Sequence, residues 1–379
     1  MACESPARNT ICIVGIENLP LLAPEFRGNG VGGAQLQQTL LARALAQNGF
    51  KVSMIVADLG QADEAVWDQI TTYKAYRMDA GIRGLRLLHP RATSVWAAMK
   101  RANAQIYYTS CADYLTGVVA FFASRFHRRS VFRVAHDTDC QPDKLLIPNR
   151  RSKAIYNYGI RHTDLILAQS TGQQADLLRN YKRQSVVVPS LAQLSATALD
   201  LEARDIQLLW VGNMRPFKRP DLALALAASM PDLSLRIVGG ADPQFPEYFS
   251  ELKARAGDLP NVQFEGPKPY DDVEARMARA RIFINTSDSE GFPNTYLQAW
   301  TRGVPVVARF DPDGVIERFG LGRAVRTEEQ MRQAIRELLS DAAAWRSASA
   351  RCRQYVAERH GENAVRAFVD TLGSLECAA

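Results

Sequence analysis

The chain has no long apolar run. Its longest, Leu115–Ser124, is interrupted by Thr116 and Gly117 and falls well short of the roughly 20 residues that cross a bilayer. Paired cysteines are missing as well. Cys3, Cys12, Cys111, Cys140, Cys352 and Cys377 have neither CxxC nor metal-ligand spacing. That argues against a disulfide framework or a zinc site, and for reduced thiols in a cytosolic protein. Met1–Thr10 carries Glu4 and lacks the pattern of a secretory leader. Low-complexity tracts and sequence repeats are absent. What is left is an ordinary globular composition, 47% hydrophobic and 23% charged.

At 379 residues the chain is too long for one core and suits two domains of about 180 residues. The net charge of +6 is uneven. Residues 1–200 hold 23 Lys/Arg against 15 Asp/Glu, and residues 201–379 hold 23 against 25. A first half at +8 and a second at −2 suggest that the first half meets something anionic. Within it, Arg77, Arg83, Arg86, Arg91, Lys100 and Arg101 stand against Asp79 alone, with Val95, Trp96 and Met99 interleaved. Such a stretch suits a peripheral contact with an anionic membrane surface.

Short apolar runs alternate with helical patterns. Thr10–Ile16 and Lys51–Asp58 read as strands around a helix from Gln35 to Asn48. Ile106–Thr109, Ser130–His136, Asp164–Ala168 and Ser185–Val188 continue the series. After a small-residue linker, Ser190–Ala203, the pattern restarts at Gln207–Val211. Strand–helix alternation of this kind folds as a doubly wound parallel sheet, once in each half. The expected division is 1–192, 204–360, and a terminal helix over 361–379.

One stretch organises the second half. Ile282–Asn285 reads as a buried strand, Glu290-Gly291-Phe292-Pro293-Asn294-Thr295 as a loop, Tyr296–Arg302 as a helix stopped by Gly303, and Val304–Ala308 as the next strand. The helix start near Asn294 and Thr295 offers unpaired N–H groups to an anion. Glu290 precedes it at a strand's carboxyl end, where open α/β sheets bind ligands. An acid beside an anion site suits a ligand with phosphate at one end and hydroxyls at the other, as in a nucleotide sugar.

Glu290-Gly291-Phe292-Pro293-Asn294, with Gln298 eight residues after the Glu, resembles the E-x7-E signature of family 4 retaining glycosyltransferases, which have the GT-B fold. Gly32-Gly33-Ala34-Gln35 resembles the glycine turn by which that family lets a donor phosphate approach. Lys218 matches its diphosphate-binding Lys. Asn213 stands where the family has an Arg, and Arg215 follows two residues later.

The resemblance implies two Rossmann-like domains facing across a cleft, the last helix crossing back to the first. It implies transfer of a hexose from a UDP- or GDP-linked donor to a hydroxyl on a glycan or lipid-linked glycan, as in cell-surface polysaccharide synthesis, with no cofactor, no metal and no nucleic-acid partner. His136, Glu290 and Lys218 are the implied catalytic residues. Gly32, Gly33, Arg215, Lys218, Glu290, Gly291, Phe292, Asn294, Thr295 and Gln298 are the implied donor-binding set. Gln298 can still bond a ribose hydroxyl, and a Glu in its place should be tolerated. From the cysteines and the basic first half, the expected location is cytoplasmic, with peripheral contact at the inner face of the membrane.

Two other readings remain. Gly28-x-Gly30-x-x-Gly33, with Asp58 at the end of the next strand, formally matches a dinucleotide fingerprint, which would make an NAD-dependent oxidoreductase. The departures at Gln298 and Asn213 suit a nucleotide-sugar-binding subunit without catalysis. Asp137-x-Asp139 and Asp311-x-Asp313 are the places where a metal would find two acids.

Overall fold

The computed structural model describes residues 9–26, 28, 32–82, 84–195 and 197–375. It forms two compact units. One comprises Met1–Arg27, Gly32–Leu191 and Ala364–Ala379, and the other Gly28–Val31 and Ala192–Asn363.

The first unit runs β1 (Thr10–Val14), α1 (Leu19–Leu22), α2 (Gly33–Gln47), β2 (Lys51–Val56), β3 (Val66–Trp67), β4 (Ile70–Lys74), α3 (Thr93–Ala102), β5 (Ile106–Ser110), α4 (Tyr114–Arg125), β6 (Arg129–Arg133), α5 (Arg150–His162), β7 (Leu165–Ala168), α6 (Thr171–Tyr181) and β8 (Val186–Val187). The sheet order is β3-β4-β2-β1-β5-β6-β7-β8. Every pairing is parallel except β3 with β4. All five residues of β1 are buried, as a strand covered on both faces requires. α2 adds Leu36, Leu41 and Leu45 to the core. Ser170 caps α6 by accepting from the Gln173 N–H.

Two contacts fix this unit's shape. A Cβ on Gly117 of α4 would lie 2.1 Å from the Ile155 carbonyl oxygen of α5, and one on Gly159 would lie 2.5 Å from the Gly117 nitrogen. The two helices therefore meet backbone to backbone, which only glycine allows. Arg133, buried in β6, donates to the Val188 carbonyl at 3.3 Å and to Ser190 Oγ at 3.1 Å. Its guanidinium also lies 4.8 Å from the Phe368 ring centroid, which ties the terminal helix into the core of this unit.

The second unit runs β9 (Ile206–Val211), α7 (Pro220–Ser229), β10 (Leu235–Val238), α8 (Pro246–Gly257), β11 (Val262–Gly266), α9 (Tyr270–Arg279), β12 (Ala280–Asn285), α10 (Asn294–Thr301), β13 (Val306–Ala308), α11 (Val315–Phe319), β14 (Gly322–Ala324), α12 (Glu328–Ser340) and α13 (Ala342–His360). Its parallel sheet is ordered β11-β10-β9-β12-β13-β14. α14 (Glu362–Ser374) places Ala364, Phe368 and Leu372 in the first unit's core. No helix among the described residues is long and apolar enough to cross a membrane.

Several expectations are corrected. The strand read as Ser130–His136 ends at Arg133, and His136 starts a 3-10 turn. The strand read as Ile282–Asn285 begins earlier, at Ala280. Val95 and Met99 are core residues, and Trp96 packs its ring on Phe121, Phe122 and Phe126. Val95 and Met99 therefore do not present an apolar face to a membrane. Arg83, Gly30, Cys3 and Cys377 lie outside the described residues.

Candidate active site

In the second sheet β9 lies between β10 and β12. The chain winds outward in one direction after β9 and in the other after β12. Loops leaving the carboxyl ends of two such strands flank the crevice where α/β sheets hold ligands. The loop after β9 is drawn tight, since a Cβ on Gly239 would lie 1.8 Å from the Gly212 carbonyl oxygen. It continues through a 3-10 turn, Pro216–Lys218, to Arg219 in the left-handed region at φ 51°.

The two loops are laced together. Thr286 Oγ1, just past β12, lies 2.9 Å from the Lys218 carbonyl oxygen, 2.7 Å from that of Arg219 and 3.0 Å from the indole Nε1 of Trp210, which donates to it. The Asp288 N–H donates to the Phe217 carbonyl. Lys218 Nζ, held by this lacing, donates to Glu290 Oε1 at 2.6 Å and Oε2 at 2.7 Å. Ser287 Oγ donates to Glu290 Oε1 at 2.6 Å. Glu290 is 5% exposed, and a charge so buried needs this pairing. The sequence brings out Lys218 and Glu290 but not Ser287 or Thr286, because small hydroxyls in a loop carry no signal of their own.

α10 begins at Asn294 behind Pro293, which has no capping side chain. Its first turn therefore presents backbone N–H groups and the positive end of the helix dipole beside Glu290. Gly291 and Phe292 are buried. The Phe292 ring packs on Trp300 and His360 and belongs to the core of this unit. Asn294 and Thr295 are half-buried.

Gln298 departs furthest from expectation. Its Nε2 donates to Glu274 Oε1 on α9 at 2.8 Å. Arg302 reaches the other oxygen, Oε2, at 3.4 Å. Burial pushes the Glu274 carboxyl above its ordinary value, while the bonds from Gln298, Arg302 and Tyr270 act the other way. A Glu at position 298 would face another carboxylate, which argues against the expectation that it is tolerated. Glu274 was invisible in the sequence because nothing in α9 marks it as a neighbour of α10.

Arg215 is engaged as well. Its Nε donates to the buried Asp242 at 2.5 Å. Arg215 and Lys218, the two cations expected to clamp a diphosphate, are thus each paired with an acid.

In the first unit, His136 caps the turn Asp137–Cys140. Its Nδ1 accepts the Thr138 N–H at 3.2 Å, so the neutral ring carries its proton on Nε2. Asp139 Oδ2 accepts the N–H groups of Ala135 and His136 at 2.9 and 3.1 Å. Burial raises the Asp139 carboxyl to about 6. Asp137 accepts from Gln173, and Asp311 accepts the N–H groups of Ile316 and Glu317. Asp137, Asp139 and Asp311 are thus engaged in loop and helix-start bonds, and no cluster of three metal-ligating side chains occurs among the described residues. Gly32 is the N-cap of α2 and Gly33 its first residue. Gln35 donates to Glu17 at 2.8 Å.

Residues 31–190 match the model described as Glycosyltransferase Family 4, and residues 205–341 match Glycosyl transferases group 1. The chain belongs to the family 4 glycosyltransferases. Sequence identity reaches 31% over 114 residues with a D-inositol 3-phosphate glycosyltransferase of Mycobacterium sp. (strain KMS), covering 29% of this chain and 26% of that one. The chain thus spans about a quarter of that relative's length. A sucrose-phosphate synthase from Thermosynechococcus elongatus superimposes with a TM-score of 0.78 at 18% identity, over 98% of this chain and 100% of the other. Anabaena HepE, solved in complex with UDP and glucose, gives a TM-score of 0.74 at 16% identity over 97% and 100%. The fold of this glycosyltransferase is GT-B.

Membership removes the dinucleotide reading, and the geometry agrees with that. In the dinucleotide fingerprint the glycines follow the first strand directly. Here α1 and a 3-10 turn, Pro24–Phe26, separate β1 from Gly33. Asp58, the expected ribose partner, is paired with Lys74 at 3.1 Å.

Proposed function

We propose that this glycosyltransferase moves a hexose from a UDP- or GDP-linked donor to a hydroxyl acceptor with retention of configuration and without a divalent metal. The observation that carries the reading is the Lys218–Glu290 pair at the sheet's switch point, beside the start of α10. In this reading the donor diphosphate takes the cation side of both pairs. Lys218, Arg215 and the first N–H groups of α10 neutralise the leaving diphosphate as its charge grows. Glu290, released from Lys218, accepts a hydrogen bond from a sugar hydroxyl and faces the oxocarbenium-like carbon. The acceptor attacks on the face from which the diphosphate departs, so the configuration is kept. His136, with its proton on Nε2, orients acceptor or sugar. Gly32 and Gly33 leave room for phosphate.

A glycan or lipid-linked glycan is the acceptor class that the family resemblance implies. Gln298 lies one helical turn after Asn294 on α10 and, bonded to Glu274, supplies the polar edge toward a ribose. The test is a panel of nucleotide sugars screened by thermal shift. A donor at 100 times its dissociation constant stabilises by about 2.7 kcal/mol. Product configuration read by NMR, in buffer containing a chelator, then separates retention from inversion and checks metal independence. Donor binding without release of nucleoside diphosphate would favour a binding subunit.

A further inference from the structure

Three neighbouring helices of the first unit carry no acidic residue. α3, α4 and α5 together hold seven Lys and Arg and no Asp or Glu. Aromatic rings connect them across their outer side. Trp96 of α3 lies 5.8 Å from Phe121 of α4, and Phe121 lies 6.4 Å from Tyr158 of α5, which stacks on His162 at 4.1 Å. Phe121 is 52% exposed. The Gly117–Gly159 contact holds α4 against α5, so these rings sit on a fixed surface rather than on a mobile loop. Lys100 and Arg125 flank the ridge, each against the Phe126 ring.

The chain that enters α3 adds aliphatic side chains. Ile82, Leu88 and Leu85 are 74%, 64% and 61% exposed, more than any other large hydrophobic among the described residues. They follow β4, at the carboxyl end of the sheet. Their segment is a set of hydrogen-bonded turns, with Leu85 and Arg86 N–H groups on the Ile82 carbonyl and Leu88 and His89 N–H groups on the Leu85 carbonyl. Gly81, at φ 95°, packs so closely that a Cβ would lie 2.6 Å from Pro90. The exposed side chains are therefore held out by a built turn.

We propose that this surface docks on an anionic lipid bilayer. Arg101 is tied to Asp63 at 3.3 Å, and the cations that remain on these helices match the negative surface potential of such a membrane. Aromatic rings flanked by cations suit the headgroup level, and Ile82, Leu85 and Leu88 suit the acyl boundary below it. A nucleic acid would satisfy the cations but would leave the three aliphatic side chains in water. The inference concerns attachment and does not depend on which donor the enzyme uses.

The experiment is flotation of the full chain with vesicles of phosphatidylcholine alone and with phosphatidylglycerol added to give a negative surface potential. The protein should float with the anionic vesicles at low salt and largely fail to float with the neutral ones. Salt near 1 M should release it, since screening shortens to about 3 Å there. Ile82→Ser with Leu85→Ser should weaken capture at least tenfold, and so should Lys100→Ser with Arg125→Ser, while Arg336→Ser on α12 should leave it unchanged. Circular dichroism and melting of each variant keep folding defects apart from docking defects. Failure to float at low salt, capture unaffected in folded variants, or retention by an oligonucleotide in place of vesicles would each overturn the proposal.

Discussion

Lys218 Nζ and the two carboxylate oxygens of Glu290 lie 2.6 and 2.7 Å apart, across the gap between the loops that follow β9 and β12. One half of the pair is thus supplied by each side of the point where the second sheet reverses its winding. The pair does two jobs. It satisfies a carboxylate that is 5% exposed, and in the proposed function it keeps a cation where a diphosphate would need one.

Lys218→Met should therefore cost stability as well as activity. It strands Glu290 in a buried position, and breaking a buried pair costs roughly 3–5 kcal/mol. Lys218 keeps 24% of its side-chain exposure, which lowers the expected loss to about 2 kcal/mol. Adding Glu290→Gln should restore most of the melting temperature and none of the turnover. Full stability in the single variant would show that the pair is not needed for the fold.

Gln298→Glu sets a second carboxylate against Glu274. Both acids would then have folded-state pKa values above their unfolded ones. Such groups favour the fold below the unfolded pKa and lose that contribution as pH rises through the folded pKa. The variant should be less stable than wild type at pH 7 by more than about 1 kcal/mol, one pKa unit being about 1.4 kcal/mol. The gap should close toward pH 4. Chemical denaturation across that range measures it, and a gap independent of pH would place the Gln298 side chain elsewhere.

Asp139 gives a second pH test. Its carboxyl sits at about 6 through burial, above its ordinary value near 3.8. Its stabilising contribution is therefore complete below the ordinary value and lost as pH rises to about 6. Asp139→Asn keeps an oxygen for the Ala135 and His136 N–H groups while removing the titration. The variant should flatten the stability profile between those limits. An unchanged profile would assign the dependence to other groups.

Gly117→Ala tests the contact between α4 and α5. The new Cβ meets the Ile155 carbonyl at 2.1 Å, a backbone atom that cannot rotate away. Overpacking of this sort costs about 1–3 kcal/mol, read as a fall in melting temperature. A neutral result would mean that the helices separate without penalty.

The parallel architecture was legible because buried strands such as Thr10–Val14 are continuous apolar runs, and because Ser170 and Gly303 punctuate their elements by known rules. β3 and β4 escaped notice, since Val66–Trp67 is two residues long and Ile70–Lys74 carries three polar residues among five. Glu290 and Lys218 were found through motif spacing. Their mutual bond was not, because 72 residues separate them and pairing at that distance follows from sheet order alone. The Glu274–Gln298 bond failed to show for the same reason. Val95 and Met99 were misjudged because a short amphipathic helix beside basic residues reads alike whether its apolar face meets a core or a membrane.

The most direct test of the central claim is release of nucleoside diphosphate from the donor panel by wild type, Lys218→Met and Glu290→Gln, with chelator present. The account predicts that at least one UDP- or GDP-hexose is consumed with an acceptor hydroxyl, and that each variant loses about 10²–10³ in rate. Wild-type turnover in both folded variants would contradict it, because the Lys218–Glu290 pair would then have no part in the chemistry.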